Sequence, residues 1–289
     1  AQALGIGEAA YRVARDYAHS RKQFETPIEN FPAVRELLVK MSVDLQAARA
    51  LTYHSCYCVD REMGPAKKLE FGHVEDSGEK KALRKESRKW GRFNKILTPL
   101  SKYYASEMSM RVANDSIAVL GGSGYMKDYP VERHLRDSRI TTIYEGTSQL
   151  QVVAAVAGVT SGTGKTIVED LLDRDWPETL HPVIEQIREG LGLLDQAVEY
   201  VKAQSGRDYR DLYARKLVDI ATYLIIGALF ADQATTDDKE MAEKKHRVAR
   251  YWMHWRLPEI RMNVEQITSG DLAAVEDFEA LAGPVPVVE

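Results

Sequence analysis

A chain of 289 residues, 44% hydrophobic and with mixed charges summing to −4, is long enough for one large domain or two medium ones with ample core. That balance excludes a global electrostatic pull towards nucleic acid or anionic membrane. The longest apolar run, Ala221 to Ala231, falls well short of the roughly 20 residues that span a bilayer, and the two cysteines, Cys56 and Cys58, exclude a disulfide framework and favour a reducing compartment.

Apolar residues recur at helical spacing almost throughout, and strand-like alternation is almost absent, so the expected fold class is all-α. Ala1-Gln2-Ala3-Leu4-Gly5 reads as the inside of a helix with no initiator Met, which marks the sequence as an expected fragment of a longer chain. The first helix should end near residue 22, at Arg21-Lys22. Thr26-Pro27 and Phe31-Pro32 punctuate a loop. Val34, Leu37, Leu38, Met41, Leu45, Ala48 and Leu51 then mark a long helix to about Glu62, expected to stop at Gly64-Pro65.

Residues 64–95 stand apart. Between Lys80 and Lys95 eight basic residues meet one acid, Glu86, and Leu83, Trp90 and Leu97 fall one heptad apart. This is a cationic amphipathic helix. Its simpler role is a solvated face; the sharper one is docking on ligand phosphates or on a partner. A further helix from Pro99 to Leu120 should end at Gly121-Gly122-Ser123-Gly124-Tyr125, and Asp128-Tyr129-Pro130 restarts the chain into a short helix from Val131 to Arg139.

Gly158 to Gly164 reads as a flexible break, followed by helices at 165–173, 181–204, 209–234, 239–254 and 257–269, and by a loose tail, Gly283-Pro284-Val285-Pro286-Val287. The expected architecture is a four-helix up-and-down bundle over residues 1–160, with the charged insertion at 64–95, and a second helical region over 161–289.

The segment Ile140-Thr141-Thr142-Ile143-Tyr144-Glu145-Gly146-Thr147-Ser148-Gln149 places one carboxylate between apolar neighbours just ahead of a helix start. Ser148 and Gln151 have the form of a capping box. Glu145 would sit beside unpaired backbone N–H groups at a positive helix end. That suits a general base working next to a carbonyl whose oxygen needs donors, although an ordinary dipole-favoured carboxylate is the plainer reading of the physics alone. Other patterns are decoys. Gly164-Lys165-Thr166 lacks the upstream glycine of a phosphate loop, since Val159 holds that position, and no strand precedes it. Gly122-Ser123-Gly124 lacks the third glycine of a dinucleotide fingerprint. His54 and Cys58 share a helix face but Cys56 does not, so no metal site is expected. Trp252, His254 and Trp255 read as core or interface residues.

Taken in order, the motifs converge. Ser20-Arg21-Lys22-Gln23-Phe24, Ala118-Val119-Leu120-Gly121-Gly122-Ser123-Gly124-Tyr125, Tyr129-Pro130-Val131-Glu132-Arg133, Arg136-Asp137-Ser138-Arg139 and Tyr144-Glu145-Gly146-Thr147 together resemble the C-terminal helical domain of the acyl-CoA dehydrogenases, over about residues 1–157. The remainder is similar, less specifically, to the extra C-terminal helical domain of larger family members.

The resemblance implies α,β-dehydrogenation of a fatty acyl-CoA thioester. Glu145 would be the base that takes the α-proton, and a hydride would pass to N5 of FAD. The thioester oxygen would be held by the Glu145 N–H and a cofactor hydroxyl. It further implies cofactor contacts from Arg21, Lys22, Gln23, Gly121, Gly122, Thr147 and Gln149, some made across a subunit interface, with Tyr144 and Gly146 lining the acyl pocket. An electron-transferring flavoprotein is the implied acceptor and a homodimer the implied assembly, with no nucleic acid, no integral membrane segment and no metal.

Two departures stand out: Pro32 and Ala118 occupy positions where the family often has a flavin-contacting glutamine. The family's N-terminal helical and middle β-domains would precede Ala1, so the chain alone is expected neither to hold FAD stably nor to turn over. An acyl-CoA oxidase of the same fold and a non-catalytic helical oligomerisation module are the alternatives. The expected compartment is cytoplasm in a prokaryote or the mitochondrial matrix in a eukaryote, set by whatever lies upstream.

Overall fold

The computed structural model describes residues 1–286. Helices α1 (Gln2–Ser20), α2 (Pro32–Phe71), α3 (Ser77–Leu120), α5 (Val131–Thr141) and α6 (Ser148–Thr160) form the first layer of packing, with α3 at its centre against the other four; α4 (Gly122–Tyr125) is a single turn capping the far end of α3. Helices α8 (His181–Ala203), α9 (Asp208–Gln233) and α10 (Lys239–Ile267) pack on one another. α9 joins them to the first group by lying against α6, α7 (Thr163–Leu172) and α2. Two short helices, α11 (Ala273–Glu276) and α12 (Phe278–Ala282), close the described chain, and the tail from Gly283 to Pro286 has neither helix nor strand; Val287 lies outside the described residues. The all-α class holds. The small exception is a two-residue hairpin of β1 (Lys22–Gln23) and β2 (Thr26–Pro27).

The apolar run that is too short for a membrane forms the C-terminal half of α9. Ile220, Ala221, Leu224, Ile225, Ala228 and Phe230 are fully buried because α9 is covered on all sides by the two groups of helices. Each such Leu, Ile or Phe contributes roughly 1.5–3 kcal/mol. No helix among the described residues is long and apolar enough to cross a membrane.

Five helix boundaries differ from the sequence expectation. Gly64-Pro65 does not stop α2, which runs on to Phe71, and Pro99 and Pro258 lie inside the single helices α3 and α10. A proline costs one backbone hydrogen bond and a local clash; here long antiparallel partners on either side outweigh it. α2 and α3 are tied along the extension by Arg61–Glu86 and Lys68–Glu79, and by Trp90 edge-on against Tyr57 and under the Arg61 guanidinium. The charged insertion is thus a helical hairpin, the ends of α2 and α3, opened by the Asp76 cap, whose carboxylate accepts from the Glu79 N–H at 2.6 Å. The expected break at 158–164 narrows to Ser161-Gly162, with Gly162 at φ +87°. The first helix ends two residues early, because Arg21 turns extended and opens the hairpin.

The helix groups are joined by polar contacts as well as apolar ones. Asp44 on α2, almost wholly buried, accepts from Arg256 on α10 at 2.7 Å and from the Tyr104 hydroxyl at 3.2 Å, with Arg111 at 3.6 Å. Arg256 lies against both the Trp252 and the Tyr223 rings, at 4.6 and 4.7 Å. Nearby, the Tyr103 hydroxyl of α3 donates to Asp219 of α9 at 2.8 Å. Burial pushes the Asp219 carboxyl up to about 6, against the Tyr103 hydrogen bond and the pull of Arg215, Arg111 and Arg256.

A carboxyl raised in the folded state favours folding most when protonated. Its contribution is therefore complete below the ordinary value of 3.8 and is lost as pH rises through about 6. At neutral pH the ionised group costs at most about 3 kcal/mol, the free-energy equivalent of a carboxyl raised from 3.8 to about 6. Asp219→Asn keeps an acceptor for Tyr103 and cannot ionise. Thermal melts should show its Tm above wild type at pH 7–8 and equal to it near pH 4. A lower Tm at pH 7 would mean that the arginines hold Asp219 as a net-favourable ion pair.

Candidate functional site

Glu145 lies in the turn between α5 and α6. It is exposed and stands at φ +53°, one of three non-glycine residues with positive φ among those described. An L-residue there costs on the order of 1 kcal/mol or more and persists when its surroundings over-determine it. They do so here. Gln151, one turn into α6, donates through Nε2 to the Glu145 carbonyl at 3.0 Å; Lys102 on α3 donates to the Gly146 carbonyl at 2.7 Å. Gly146 follows at φ +88°, where a Cβ would stand 2.9 Å from the Gln151 amide. Thr142 closes the base of the turn by accepting from the Ser148 N–H at 2.9 Å, and its hydroxyl accepts from Arg139 at 3.1 Å. The carboxylate is therefore carried on a backbone clamped from both flanks. The N–H groups of Glu145, Gly146 and Thr147 meet no acceptor among the described residues.

The helix start lies where the sequence put it, but the cap differs. Thr147, not Ser148, is the cap, accepting from the Leu150 N–H at 3.3 Å; Ser148 is the first helical residue and is buried. Gln151 reaches past Ser148 to Glu145 because the two left-handed residues turn the Glu145 carbonyl back towards the helix. No motif in the sequence points to Lys102. It sits 43 positions before Glu145 on another helix, and no local pattern links them. Burial pulls its ammonium below the usual lysine range, and the Glu145 carboxylate opposes that shift. The same ammonium lies 5.8 Å from the centre of the Tyr144 ring, and the half-buried Tyr144 donates its hydroxyl to Gln2 at 2.5 Å. Gln149 is exposed on the first turn of α6.

The remaining site residues collect elsewhere. Arg21, Lys22 and Gln23 are exposed at the start of the hairpin, whose two-residue turn, Phe24-Glu25, has φ of 48° and 62°. That is the geometry of a type I′ turn, which ordinarily takes Asn or Gly, so the sequence did not announce it. Phe24 at the tip is 90% exposed. Gly121 and Gly122 lie at the same end of the bundle, because Tyr17 near the end of α1 meets Ser123 at 3.3 Å and packs edge-on against Tyr129. Gly121, at φ +62° and ψ −137°, is in a region open only to glycine, and a Cβ on either glycine would meet nothing within 4 Å. Arg21 and Lys22 form no ion pair among the described residues. Of the two departures, Pro32 is exposed as the first residue of α2 and Ala118 is exposed on α3.

The structure thus brings Tyr144, Glu145, Gly146, Thr147 and Gln149 together beside the start of α1, and Arg21, Lys22, Gln23, Gly121 and Gly122 together beyond its end. The 19 residues of α1 separate the two groups by about 28 Å.

Two family models divide most of the chain between them: "Acyl-CoA dehydrogenase, C-terminal domain" matches residues 1–149, and "Acyl-CoA dehydrogenase C terminal" matches residues 160–269. The chain belongs to the acyl-CoA dehydrogenase family. Among acyl-CoA dehydrogenases and their kin it is 36% identical to the acyl-CoA dehydrogenase of Bacillus subtilis and 38% identical to the 3-(aryl)acrylate reductase of Clostridium sporogenes. Each alignment runs over 151 residues, 52% of this chain and 32% of the relative, so the chain matches about a third of the length of these curated relatives. An acyl-CoA dehydrogenase from Bacillus anthracis, complexed with FAD, superposes with a TM-score of 0.72 at 20% identity, over 97% of this chain and 49% of that one. Caenorhabditis elegans ACDH-11, in complex with C11-CoA, gives 0.67 at 21% identity, over 94% and 46%. At that identity the two structures establish the fold, and they do so across both helical regions.

The decoys resolve simply. Lys165 is in α7, tied to Asp195 and Glu169. His54 and Cys58 meet at 3.6 Å while Cys56 faces outward, and no metal-binding group of three ligands exists among the described residues. Trp252 is core, donating to the Tyr223 carbonyl at 2.9 Å, whereas His254 and Trp255 are exposed.

Proposed function

We propose that this chain is the base-bearing C-terminal part of an FAD-dependent acyl-CoA dehydrogenase, with a division into two helical regions near residue 160. The observation that carries the proposal is the clamped turn at Glu145. A carboxylate on an over-determined, left-handed residue stands beside its own unpartnered N–H at the start of α6. A thioester laid against this turn would have its α-proton within reach of Glu145 and its oxygen within reach of the Glu145 N–H, so base and oxyanion donor come from one residue. Lys102 fixes the Gly146 carbonyl and adds positive charge beneath the turn. Tyr144 and Gly146 shape the near wall, and the exposed Ile143, Leu150 and Val153 offer an apolar surface for an acyl chain. FAD, when bound, would accept the β-hydride.

The residues fit one side of a dinucleotide site. Arg21 and Lys22 supply unpaired cations for a pyrophosphate, and Gly121 and Gly122 present bare backbone with open space in front. Thr147 and Gln149 would meet the cofactor at the other cluster. Because α1 holds the clusters apart, we read them as serving two flavins in a homodimer, each flavin touched by both copies. Pro32 and Ala118 bring no side-chain donor to that interface. An electron-transferring flavoprotein is the proposed electron acceptor.

Anaerobic titration of the intact protein with a panel of acyl-CoAs tests the reading by flavin absorbance. At least one acyl-CoA should bleach the flavin, whereas this 289-residue chain alone should neither retain FAD through gel filtration nor turn over. A flavin-loaded intact protein that no acyl-CoA reduces would remove the substrate class and leave only the family.

A further inference from the structure

The aromatic and basic residues of α10 are not absorbed by any of this chemistry. Along that helix Arg247, Tyr251 and Trp255 recur every four residues, and Arg250 and His254 fall between them, so all five share one face. The face is open rather than packed: Trp255 is 47% exposed, Arg247, Arg250 and His254 are exposed, and Tyr251 is half-buried. Basic and aromatic groups therefore alternate along the side of α10 that α2 flanks.

Two adjoining cavities follow this stripe. One, of about 200 Å³, is lined by Tyr251, Trp252 and Trp255 of α10 and by Glu36 and Lys40 of α2. The other, of about 640 Å³, is lined by Arg247, Arg250 and His254, with Val39 and Val43 of α2 opposite. Tyr251 and Val43 belong to both, so the cavities meet there.

Charge is sorted between them. The smaller cavity carries three carboxylates. Asp44 is committed to Arg256 and the Tyr104 hydroxyl, and Glu259 grips Arg256 with both oxygens. The third, Glu36, forms no ion pair among the described residues. The larger cavity has no carboxylate in its lining. Arg250 is paired only to solvent among the described residues, and the one partner of Arg247 is Glu243, in an exposed i,i+4 pair of the kind that contributes little. The smaller cavity thus suits a planar ring bearing N–H donors, and the larger one suits an anion. From Trp255 to Arg247 is about 12 Å along the helix axis. A nucleoside triphosphate, comparable to three extended residues, spans roughly 10 Å from its base to its last phosphate.

We propose that the seam between α10 and α2 binds a purine nucleoside di- or triphosphate, its base against Tyr251 and Trp255 and its phosphates on Arg247 and Arg250. Stacking on an exposed aromatic face holds the base, and the guanidinium groups hold phosphate through charge-assisted hydrogen bonds. Glu36, acceptor-only when ionised, would take an N–H of the base. The ligand would touch α2 of the first helical group and α10 of the second, so its binding would stabilise their junction. The site stands on α2 and α10 and is independent of the reading of Glu145, which lies between α5 and α6.

The test is isothermal titration of the intact, flavin-loaded protein with ATP and with GTP, in saturating CoA so that any thioester site is already filled. At least one nucleotide should bind. Trp255→Ala should raise its Kd roughly fivefold to a hundredfold while leaving the binding of inorganic tripolyphosphate as in wild type. Arg247→Gln/Arg250→Gln should weaken nucleotide and tripolyphosphate alike, by roughly tenfold or more. Both variants replace exposed side chains, so their Tm without ligand should equal that of wild type. Failure of both nucleotides to bind in the presence of CoA overturns the proposal. So does a Trp255→Ala variant that binds ATP and GTP as wild type does, which would leave a phosphate site without a base site. A single-stranded oligonucleotide bound more tightly than either nucleotide also overturns it, and would make the stripe a nucleic-acid platform.

Discussion

Glu145→Gln in the intact protein should slow flavin reduction by acyl-CoA by roughly three to four orders of magnitude while leaving the flavin in place. Glutamine keeps the shape of the side chain and its carbonyl oxygen, and it stays on a residue whose backbone is fixed by Gln151 and Lys102 rather than by the carboxylate. What it removes is the proton acceptor. The α-hydrogen of a thioester is weakly acidic, so the remaining N–H donor polarises the carbonyl without taking the proton away. Stopped-flow absorbance with a fixed acyl-CoA measures the effect directly, and loss of α-proton exchange with deuterated solvent provides a second readout independent of the flavin. A variant reduced within tenfold of the wild-type rate would deny Glu145 the role of base, and the strained turn would then need another explanation.

How far the sequence disclosed this site depends on which forces set each part. The all-α class and the order of helices follow from apolar spacing, which is a local property written along the chain. The turn at Glu145 was also legible, because Gly146 and the following polar residues mark a helix start. The left-handed φ of Glu145 was not, since it is imposed by Lys102 from another helix and by Gln151 reaching backwards. The helix lengths failed for the same reason in reverse. Gly64-Pro65, Pro99 and Pro258 are local stop signals, and packing along α2, α3 and α10 overrides each of them. The separation of Arg21 from Glu145 by the length of α1 could not be read at all, because motif order carries no distance. It is nevertheless the feature on which the proposed sharing of the flavin site between two copies rests.

The largest effect on stability is expected from Asp44→Ala, at about 3–5 kcal/mol. Among the described residues Asp44 on α2 is the only counter-charge within contact of both Arg256 and Arg111, and its side chain is 4% exposed. Arg256 is packed against the Trp252 and Tyr223 rings, 4.6 and 4.7 Å from their centres, and its side chain is only 13% exposed. Removing the carboxylate leaves that buried charge with Glu259, on its own helix, as its one ion-pair partner among the described residues, and leaves the Tyr104 hydroxyl without its acceptor. Since α2 and α10 come from the two helical regions, the loss falls on the seam between them. Chemical denaturation of the chain followed by far-UV circular dichroism should show a lower midpoint. The double variant Asp44→Ala/Arg256→Met should recover most of the loss, because an apolar side chain against the two rings needs no partner. If the single change costs less than about 1 kcal/mol, Glu259 and the rings suffice to hold Arg256, and the seam owes its stability to α9 packing alone.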